Sequence, residues 1–98
     1  MKRASNYLLA IDVEQYYDVN KLKKKLDLAR DWLRIVPGVY FIHTTSDSEK
    51  WYNRLKEALP NNRFFLTKID ISDHTGWLPK SKWNWIENKE NIEIEDKD

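Results

Sequence analysis

The sequence predicts a single α+β domain of the ferredoxin-like type, with the element order β-α-β-β-α-β and a tryptophan-rich C-terminal extension. Three observations predict it: strand-like apolar runs near residues 7–13 and 63–71, two helical stripes with spacings of three and four, and a Pro-Gly corner between two aromatic runs. In this arrangement right-handed crossovers place two helices on one face of a four-stranded antiparallel sheet. A chain of 98 residues is enough for one domain.

The first strand and the first helix follow from their apolar patterns. Residues 7–13 are apolar on both faces up to Asp12, which is typical of a central strand. Asp18 or Asn20 can cap the helix that follows, because a short polar side chain accepts from the free backbone N–H groups of a first turn. The stripe of that helix contains Val19, Leu22, Leu26, Ala29 and Leu33.

Two strands joined by a tight corner follow this helix. Residues 32–36 and 39–44 are rich in β-branched and aromatic side chains, and Pro37-Gly38 lies between them. The boundary at Trp32 and Leu33 stays open, because the helical stripe also extends to Leu33.

The second helix and the last strand have clear boundaries. Ser46 and Glu49 have the spacing of a capping box, and Pro60 ends the helix. Residues 63–71 alternate as a strand does. The buried stripe of the helix contains Trp51, Leu55, Ala58 and Leu59.

The C-terminal part is predicted as an extension of the same domain, which spans residues 1–88 with the extension starting at residue 72. A turn at residues 76–79 precedes a short helix that begins at Ser81 or Lys82 and ends at Glu87. Residues 89–98 form an acidic tail that we expect to be flexible, although Ile92 and Ile94 alternate with glutamates as in an edge strand. The second face of the sheet is also apolar, which predicts an interface there.

Composition excludes several classes of function. The chain has no cysteine, so disulfides, thiolate metal sites and cysteine nucleophiles are excluded. Its two glycines exclude Walker-type and Rossmann-type phosphate loops. No apolar run approaches the roughly 20 residues that cross a bilayer, and the start of the chain does not have a signal-peptide pattern, so we expect a cytoplasmic protein without membrane contact.

The charges are divided between the body and the tail. Residues 1–86 have a net charge of +5 and residues 87–98 a net charge of −4. A basic body is typical of a nucleic-acid surface, whereas a solvated helix face needs no such role. The candidate nucleic-acid-binding residues are Lys21, Lys23, Lys24, Lys25, Arg30, Lys80 and Lys82.

Three tryptophans near the C terminus are candidate partner-binding residues: Trp77, Trp83 and Trp85. Exposed rings can stack on bases, but packing on the open sheet face or on a partner chain fits them better, since an apolar face must be buried. His43, within a strand, is expected to be packed, and His74 lies in a loop. No Ser-His-Asp constellation can be assembled.

Taken in order, these elements resemble the CRISPR-associated protein-two superfamily, which includes VapD-like ribonuclease toxins and a SinR-annotated branch. The resemblance covers residues 6–86 and rests on the first strand ending in Asp12, the aromatic strand at 39–42, the helix ending at 55–59, the strand at 65–69 and the closing segment 76–79.

The resemblance implies a ferredoxin-like homodimer in which two copies of Asp12 approach each other and hold Mg²⁺ or Mn²⁺ for phosphodiester cleavage; other family members bind DNA without cleaving it. Asp12 is thus the candidate catalytic and metal-binding residue, and the enzyme, if any, is a metal-dependent endonuclease. The basic stretch of the family after this aspartate is replaced by Glu14-Gln15-Tyr16-Tyr17, which argues against cleavage. From the residues alone, Asp12 can equally cap a loop.

Two functions follow. The first is a homodimeric protein that binds DNA or RNA through basic helix faces. The alternative is a non-enzymatic protein-interaction module of phage or mobile-element origin that holds a protein partner through its tryptophan-rich segment.

Overall fold

The structure is a computed structural model that describes residues 3–95, with side chains described through Lys89. Its elements are β1 (Ser5–Ile11), α1 (Val19–Leu26), β2 (Asp31–Val36), β3 (Val39–Thr44), α2 (Ser48–Ala58), β4 (Phe64–Ile69) and α3 (Lys80–Glu95).

The four strands form one antiparallel sheet in the order β2-β3-β1-β4. The fold is therefore α+β with three helices, compatible with a ferredoxin-like arrangement. As predicted, β1 is central, and it pairs with β3 on one side and β4 on the other. The edges of the sheet are β2 and β4.

Helices α1 and α2 pack on the first face of the sheet and bury the main core. The strands contribute Leu9, Tyr40 and Ile42 to this core, and their neighbours along each strand point to the second face. The helices contribute Leu22 and Trp51, among others. The predicted stripes are confirmed where they enter this core: Leu22 and Leu26 of α1, and Trp51, Leu55, Ala58 and Leu59 of the α2 region are buried.

Two helix boundaries differ from the prediction. Asp18 is the N-cap of α1, as expected, but the helix ends at Leu26 and Leu33 lies in β2. The N-cap of α2 is Asp47, whose carboxylate accepts from the Lys50 backbone N–H at 2.9 Å, so the capping box predicted from Ser46 is wrong by one residue. Carboxylates are at least as effective as serine at this position.

The predicted Pro-Gly corner connects β2 to β3. Gly38 has φ = +82°, and a Cβ there would lie 2.7 Å from Val13 Cγ1 and 2.9 Å from the Ile11 carbonyl oxygen. The corner therefore requires glycine both for its backbone conformation and for its contact with the end of β1.

The third helix lies on the second face of the sheet. The Trp85 ring is 6.4 Å from the Phe41 ring, Lys82 Nζ donates to the Ile35 carbonyl at 2.6 Å, and Lys89 forms an ion pair with Asp31 at 2.7 Å. Helix α3 thus runs antiparallel to β2 along its edge. It is longer than the predicted helix, and the alternative of an edge strand at Ile92 and Ile94 is wrong because both lie within α3.

The expectation that the second face is left open is therefore wrong over β2 and β3, where the chain covers that face itself. Of the acidic tail, residues 96–98 lie outside the described part of the chain. Among residues 3–95, no helix is both long enough and apolar enough to cross a bilayer.

Candidate nucleic-acid interface

Helix α1 is the most basic element of the described chain. Its sequence, VNKLKKKL, contains four lysines and no acidic residue. Asp18 Oδ1 accepts from the Asn20 and Lys21 backbone N–H groups at 2.9 and 3.3 Å, which fixes the first turn. Leu22 and Leu26, one turn apart, are fully buried and orient the helix on the sheet. This anchoring directs Lys21, Lys23 and Lys24 into solvent.

The ion pairs of α1 leave most of its charge uncompensated. Lys25 Nζ lies 3.0 Å from Glu57 Oε2 of α2. No ion pair is observed for Lys21, Lys23 or Lys24 within residues 3–95. Three of the lysines lie in the last turn of α1, where they also complement the negative end of the helix dipole.

A shallow groove separates α1 from the end of α2. It has a volume of about 450 Å³ and is lined by Lys21, Lys24, Lys25 and Leu28 on one side and by Glu57 and Ala58 on the other. Its wall on the α1 side is therefore basic, and a phosphate there could reach more than one lysine.

The remaining predicted basic residues lie elsewhere. Arg30 follows α1 and is exposed, with its backbone N–H bonded to the His43 carbonyl at 2.9 Å. Lys80 and Lys82 begin α3, on the opposite side of the sheet from α1, and the Lys82 ammonium is used in its bond to Ile35. The structure thus brings together the four lysines of α1 and separates Lys80 and Lys82 from them.

Asp12 follows β1 and forms part of a loop scaffold. Its Oδ1 accepts from the Glu14 backbone N–H at 3.0 Å, and its own N–H donates to the Arg63 carbonyl at 2.9 Å. Asn62 Nδ2 donates to the carbonyls of Asp12 and Gln15 at 3.1 and 2.8 Å, so this side chain ties the loop after β1 to the loop before β4. This role of Asn62 was not predicted, since residues 60–62 show only a helix-stopping pattern.

Asp12 is not part of a cluster of potential metal ligands in the described residues. In the part of the chain that the structure describes, no group of three histidine, aspartate or glutamate side chains gathers that could hold an ion. Mg²⁺ is commonly held by one or two carboxylates together with water molecules. One oxygen of Asp12 closes the turn at Glu14, and the metal-binding role of this residue stays a prediction.

The three C-terminal tryptophans have different environments. Trp83 stacks on His74 with ring centroids 5.4 Å apart, and Trp85 lies between Phe41 and the Lys89 ammonium, which is 4.9 Å from its ring. Trp77 is fully exposed. Trp83 and Trp85 therefore pack within the chain, and Trp77 is the one of the three available to a partner.

A mainly apolar pocket of about 420 Å³ lies between the second face of the sheet, the segment 70–78 and α3. Leu8 and Phe41 form its floor, Ile86 and Trp83 line it from α3, and Trp77 stands at its margin. It was not predicted from the sequence, because it requires α3 to lie over the sheet.

Buried polar residues lie beneath α3. His43 Nδ1 is 2.8 Å from Asn6 Oδ1, and both residues are 2% exposed, so His43 is packed as predicted. Asp31 pairs with His43 in the sheet register. Burial alone would raise the pKa of Asp31, but the bond to Lys89 and the Trp32 backbone N–H lower it below its usual value. Asn6 and His43 are too buried to meet a substrate, and the partly exposed Asp31 attaches α3 to the sheet through Lys89.

Comparison with protein-family models, with curated proteins and with solved structures finds no match for this chain.

Proposed function

We propose that this chain is a homodimeric nucleic-acid-binding protein with a ferredoxin-like fold, related to the CRISPR-associated protein-two superfamily, and that α1 contacts the phosphate backbone of DNA or RNA. The observation that carries the proposal is the exposed, uncompensated lysine row on α1: Lys21, Lys23 and Lys24. The alternative of a merely solvated helix face predicts no binding of DNA or RNA at low salt.

The expected binding is electrostatic and tolerant of sequence. Lysines on a helix face neutralise phosphates and release condensed counterions, so affinity falls steeply with salt. Three lysines predict a slope of about −3 for log K against log salt concentration on duplex DNA, since each contact contributes roughly −0.9. Base-specific contacts are not required.

We assign no cleavage to Asp12, because Glu14-Gln15-Tyr16-Tyr17 replaces the basic stretch that follows this aspartate in the family. Nucleic-acid binding without cleavage is the mode that the loop at residues 12–17 supports best. Cleavage of a probe in Mg²⁺ or Mn²⁺ that disappears in Asp12→Asn would contradict this part of the proposal and indicate an endonuclease.

Fluorescence anisotropy with labelled DNA and RNA at several salt concentrations tests the proposal. The triple variant Lys21→Ala/Lys23→Ala/Lys24→Ala should lose binding and flatten the salt slope by about three. The matched pair is Lys24→Ala and Lys80→Ala, which remove the same charge from opposite sides of the sheet. We expect only Lys24→Ala to weaken binding, and equal effects of the two would argue for non-specific charge attraction.

The second candidate function is a protein-interaction module, favoured by the full exposure of the Trp77 ring beside the apolar pocket. Large exposed aromatic side chains are typical hot spots of interfaces. If the chain is a protein-interaction module, Trp77→Ala should abolish co-purification of a cellular partner, and the α1 variants should leave that co-purification unchanged.

A further inference from the structure

We propose that the outer edge of β4, which no element of residues 3–95 covers, forms together with the adjoining flank of α2 a two-fold symmetric interface with a second copy of this chain. This inference deepens the proposed function, because it names the surface that forms the homodimer. Three observations support it. The two sheet edges differ in their cover, alternate residues of β4 direct their backbone N–H and C=O groups away from the sheet, and the charges beside this edge are self-complementary.

The two edges of the sheet differ in whether a helix covers them. Helix α3 lies along β2 and contacts it through Lys82 at the Ile35 carbonyl and Lys89 at Asp31. Edge β4 pairs with β1 without a bulge, and four of its six residues are large and apolar. Proteins generally blunt an exposed apolar edge with prolines, bulges or a cover, since it pairs readily with other chains.

The hydrogen-bond phase of β4 shows which groups face outward. The Arg63 carbonyl accepts from Asp12, the residue opposite it in register, so Arg63, Phe65 and Thr67 direct their backbone groups toward β1. The backbone N–H and C=O groups of Phe64, Leu66 and Lys68 therefore point away from the sheet. Three alternate residues with outward groups are the template for one more antiparallel strand.

The surface beside this edge is apolar and concave. A groove of about 810 Å³ lies between α2 and β4, with Tyr52, Phe64 and Leu66 among its lining residues. Phe65 is 65% exposed and Tyr52 is 54% exposed, and the Tyr52 and Phe64 rings are 5.9 Å apart. A second chain would bury these rings.

The charges along the groove identify the second chain as another copy of this one. Glu49, Tyr52 and Lys56 form one flank of α2 and line the groove. When two α2 helices run antiparallel across a two-fold axis near Tyr52, Glu49 of each faces Lys56 of the other. A two-fold axis at Leu66 of β4 places Leu66 opposite Leu66 of the second copy. It also places Phe64 opposite the aliphatic part of Lys68 in the second copy. Such self-complementarity is what an isologous interface requires.

This geometry has a consequence for Asp12. The path from Asp12 to its copy runs from β1 to β4, then to β4 of the second copy and to its β1, which is three strand spacings. The two residues are also offset by about six residues along the strands, so their carboxylates lie on the order of 25 Å apart. An edge dimer therefore cannot share a metal ion between the two aspartates. It differs in this from the homodimer that the family resemblance implies, and it fits a protein that binds nucleic acid without cutting it.

Sedimentation of the nucleic-acid-free protein at tens of micromolar tests the interface. We expect a dimer, and we expect Glu49→Lys and Lys56→Glu each to weaken it about tenfold, because each replaces two attractions by two repulsions. The double variant Glu49→Lys/Lys56→Glu exchanges the two charges, so opposite charges again face each other across the axis and dimerisation should recover. Lys50→Glu, on the same helix but outside the groove, is the matched control and should change little.

A backbone variant tests the strand pairing separately. Leu66→Pro removes one outward N–H and leaves the bonds to β1 intact, so it should make the chain monomeric. Because Leu66 also packs against the core, an unchanged far-ultraviolet circular dichroism spectrum has to show that the variant is folded. A wild-type monomer, a Leu66→Pro dimer, or a double charge variant that stays as weak as the singles would each overturn the inference. Loss of nucleic-acid binding by an intact dimer would instead overturn the α1 proposal, so the two failures are distinguishable.

Discussion

At the scale of single residues, Trp51 is the side chain on which the core depends most. It is fully buried, its Nε1 donates to Thr44 Oγ1 at 3.1 Å, and the Arg54 guanidinium lies 4.7 Å from its ring. We expect Trp51→Ala to cost about 3–5 kcal/mol of unfolding free energy, since it leaves a large cavity. Urea denaturation followed by circular dichroism measures the loss.

A tryptophan with no burial provides the control for Trp51. Trp77 is fully exposed, so Trp77→Ala should change the unfolding free energy by no more than about 0.5 kcal/mol. A loss at Trp77 comparable to that at Trp51 would mean that the exposed ring packs against the chain in solution.

Tyr40 makes the stability of the fold depend on pH in the alkaline range. Burial, with the neighbouring Tyr17 hydroxyl, raises the pKa of Tyr40 from 10.0 to about 12. Because the folded pKa lies above the unfolded one, the stabilisation is full below pH 10 and is lost as the pH rises toward 12, by about 1.4 kcal/mol per pH unit. Urea unfolding at a series of pH values measures this loss.

The Tyr40→Phe variant isolates this effect from other alkaline titrations. Since phenylalanine does not ionise, the variant should lack the part of the decline that Tyr40 causes. The difference in unfolding free energy between wild type and variant should therefore change above pH 10 and be constant below it. A constant difference across the whole range would show that Tyr40 ionises as easily in the folded chain as in the unfolded one.

The residues that sequence patterns predicted well are those whose role is local or follows a periodicity. The cap Asp18 and the core residue Leu22 could be predicted, because a helix start and a helical stripe are visible in neighbouring positions of the sequence. Asn62 was not predicted, because its two bonds join loops separated by 47 and 50 positions in the chain. The same holds for Asp31, whose ion pair with Lys89 spans two elements.

At the scale of elements, the attachment of α3 is expected to depend on the Asp31–Lys89 pair. The Lys89 side chain is 9% exposed and lies against the Trp85 ring, so its removal frees both contacts. Lys89→Met should increase hydrogen exchange throughout α3 while the strands stay protected, whereas Lys80→Met, on an exposed position of the same helix, should not. Uniform loss of protection would show that α3 and the sheet unfold as one unit.

The same pair determines how α3 responds to acid. The pKa of Asp31 is lowered in the folded chain, so its contribution is present above its unfolded pKa of about 3.8 and is lost as the pH falls through the folded value. The variant Asp31→Asn removes this dependence. Helix α3 should therefore detach in acid before the main core, which contains no paired carboxylate.

The elements themselves were largely predictable, and their arrangement was only partly so. Periodicity identified four strands and two helices, and the Pro-Gly corner joined β2 to β3 as expected. Packing of the C-terminal tryptophans on the sheet was among the expectations, and Trp85 does lie against Phe41. The length of α3 and its course along β2 were not predictable, because its hydrophobic stripe is weak and its attachment depends on Lys82 and Lys89 meeting a strand far away in sequence. For the same reason the second face was expected to be open.

At the scale of the whole molecule, the edge dimer predicts a thermal stability that depends on concentration. A domain of 98 residues buries too little surface for a large stability margin. If the folded dimer unfolds directly to two chains, mass action raises the unfolding midpoint with protein concentration. With an unfolding entropy of about 2.1 cal/mol/K per residue, a tenfold rise in concentration should raise the midpoint by about 3 °C.

The variants of β4 and α2 decide whether this dependence comes from the proposed interface. Leu66→Pro should give a lower midpoint that does not change with concentration, because no partner contributes to its folded state. The double charge variant of Glu49 and Lys56 should regain the concentration dependence that each single variant reduces. A midpoint that rises equally for wild type and Leu66→Pro would place the contact between copies elsewhere, with the exposed Trp77 ring as the next surface to change.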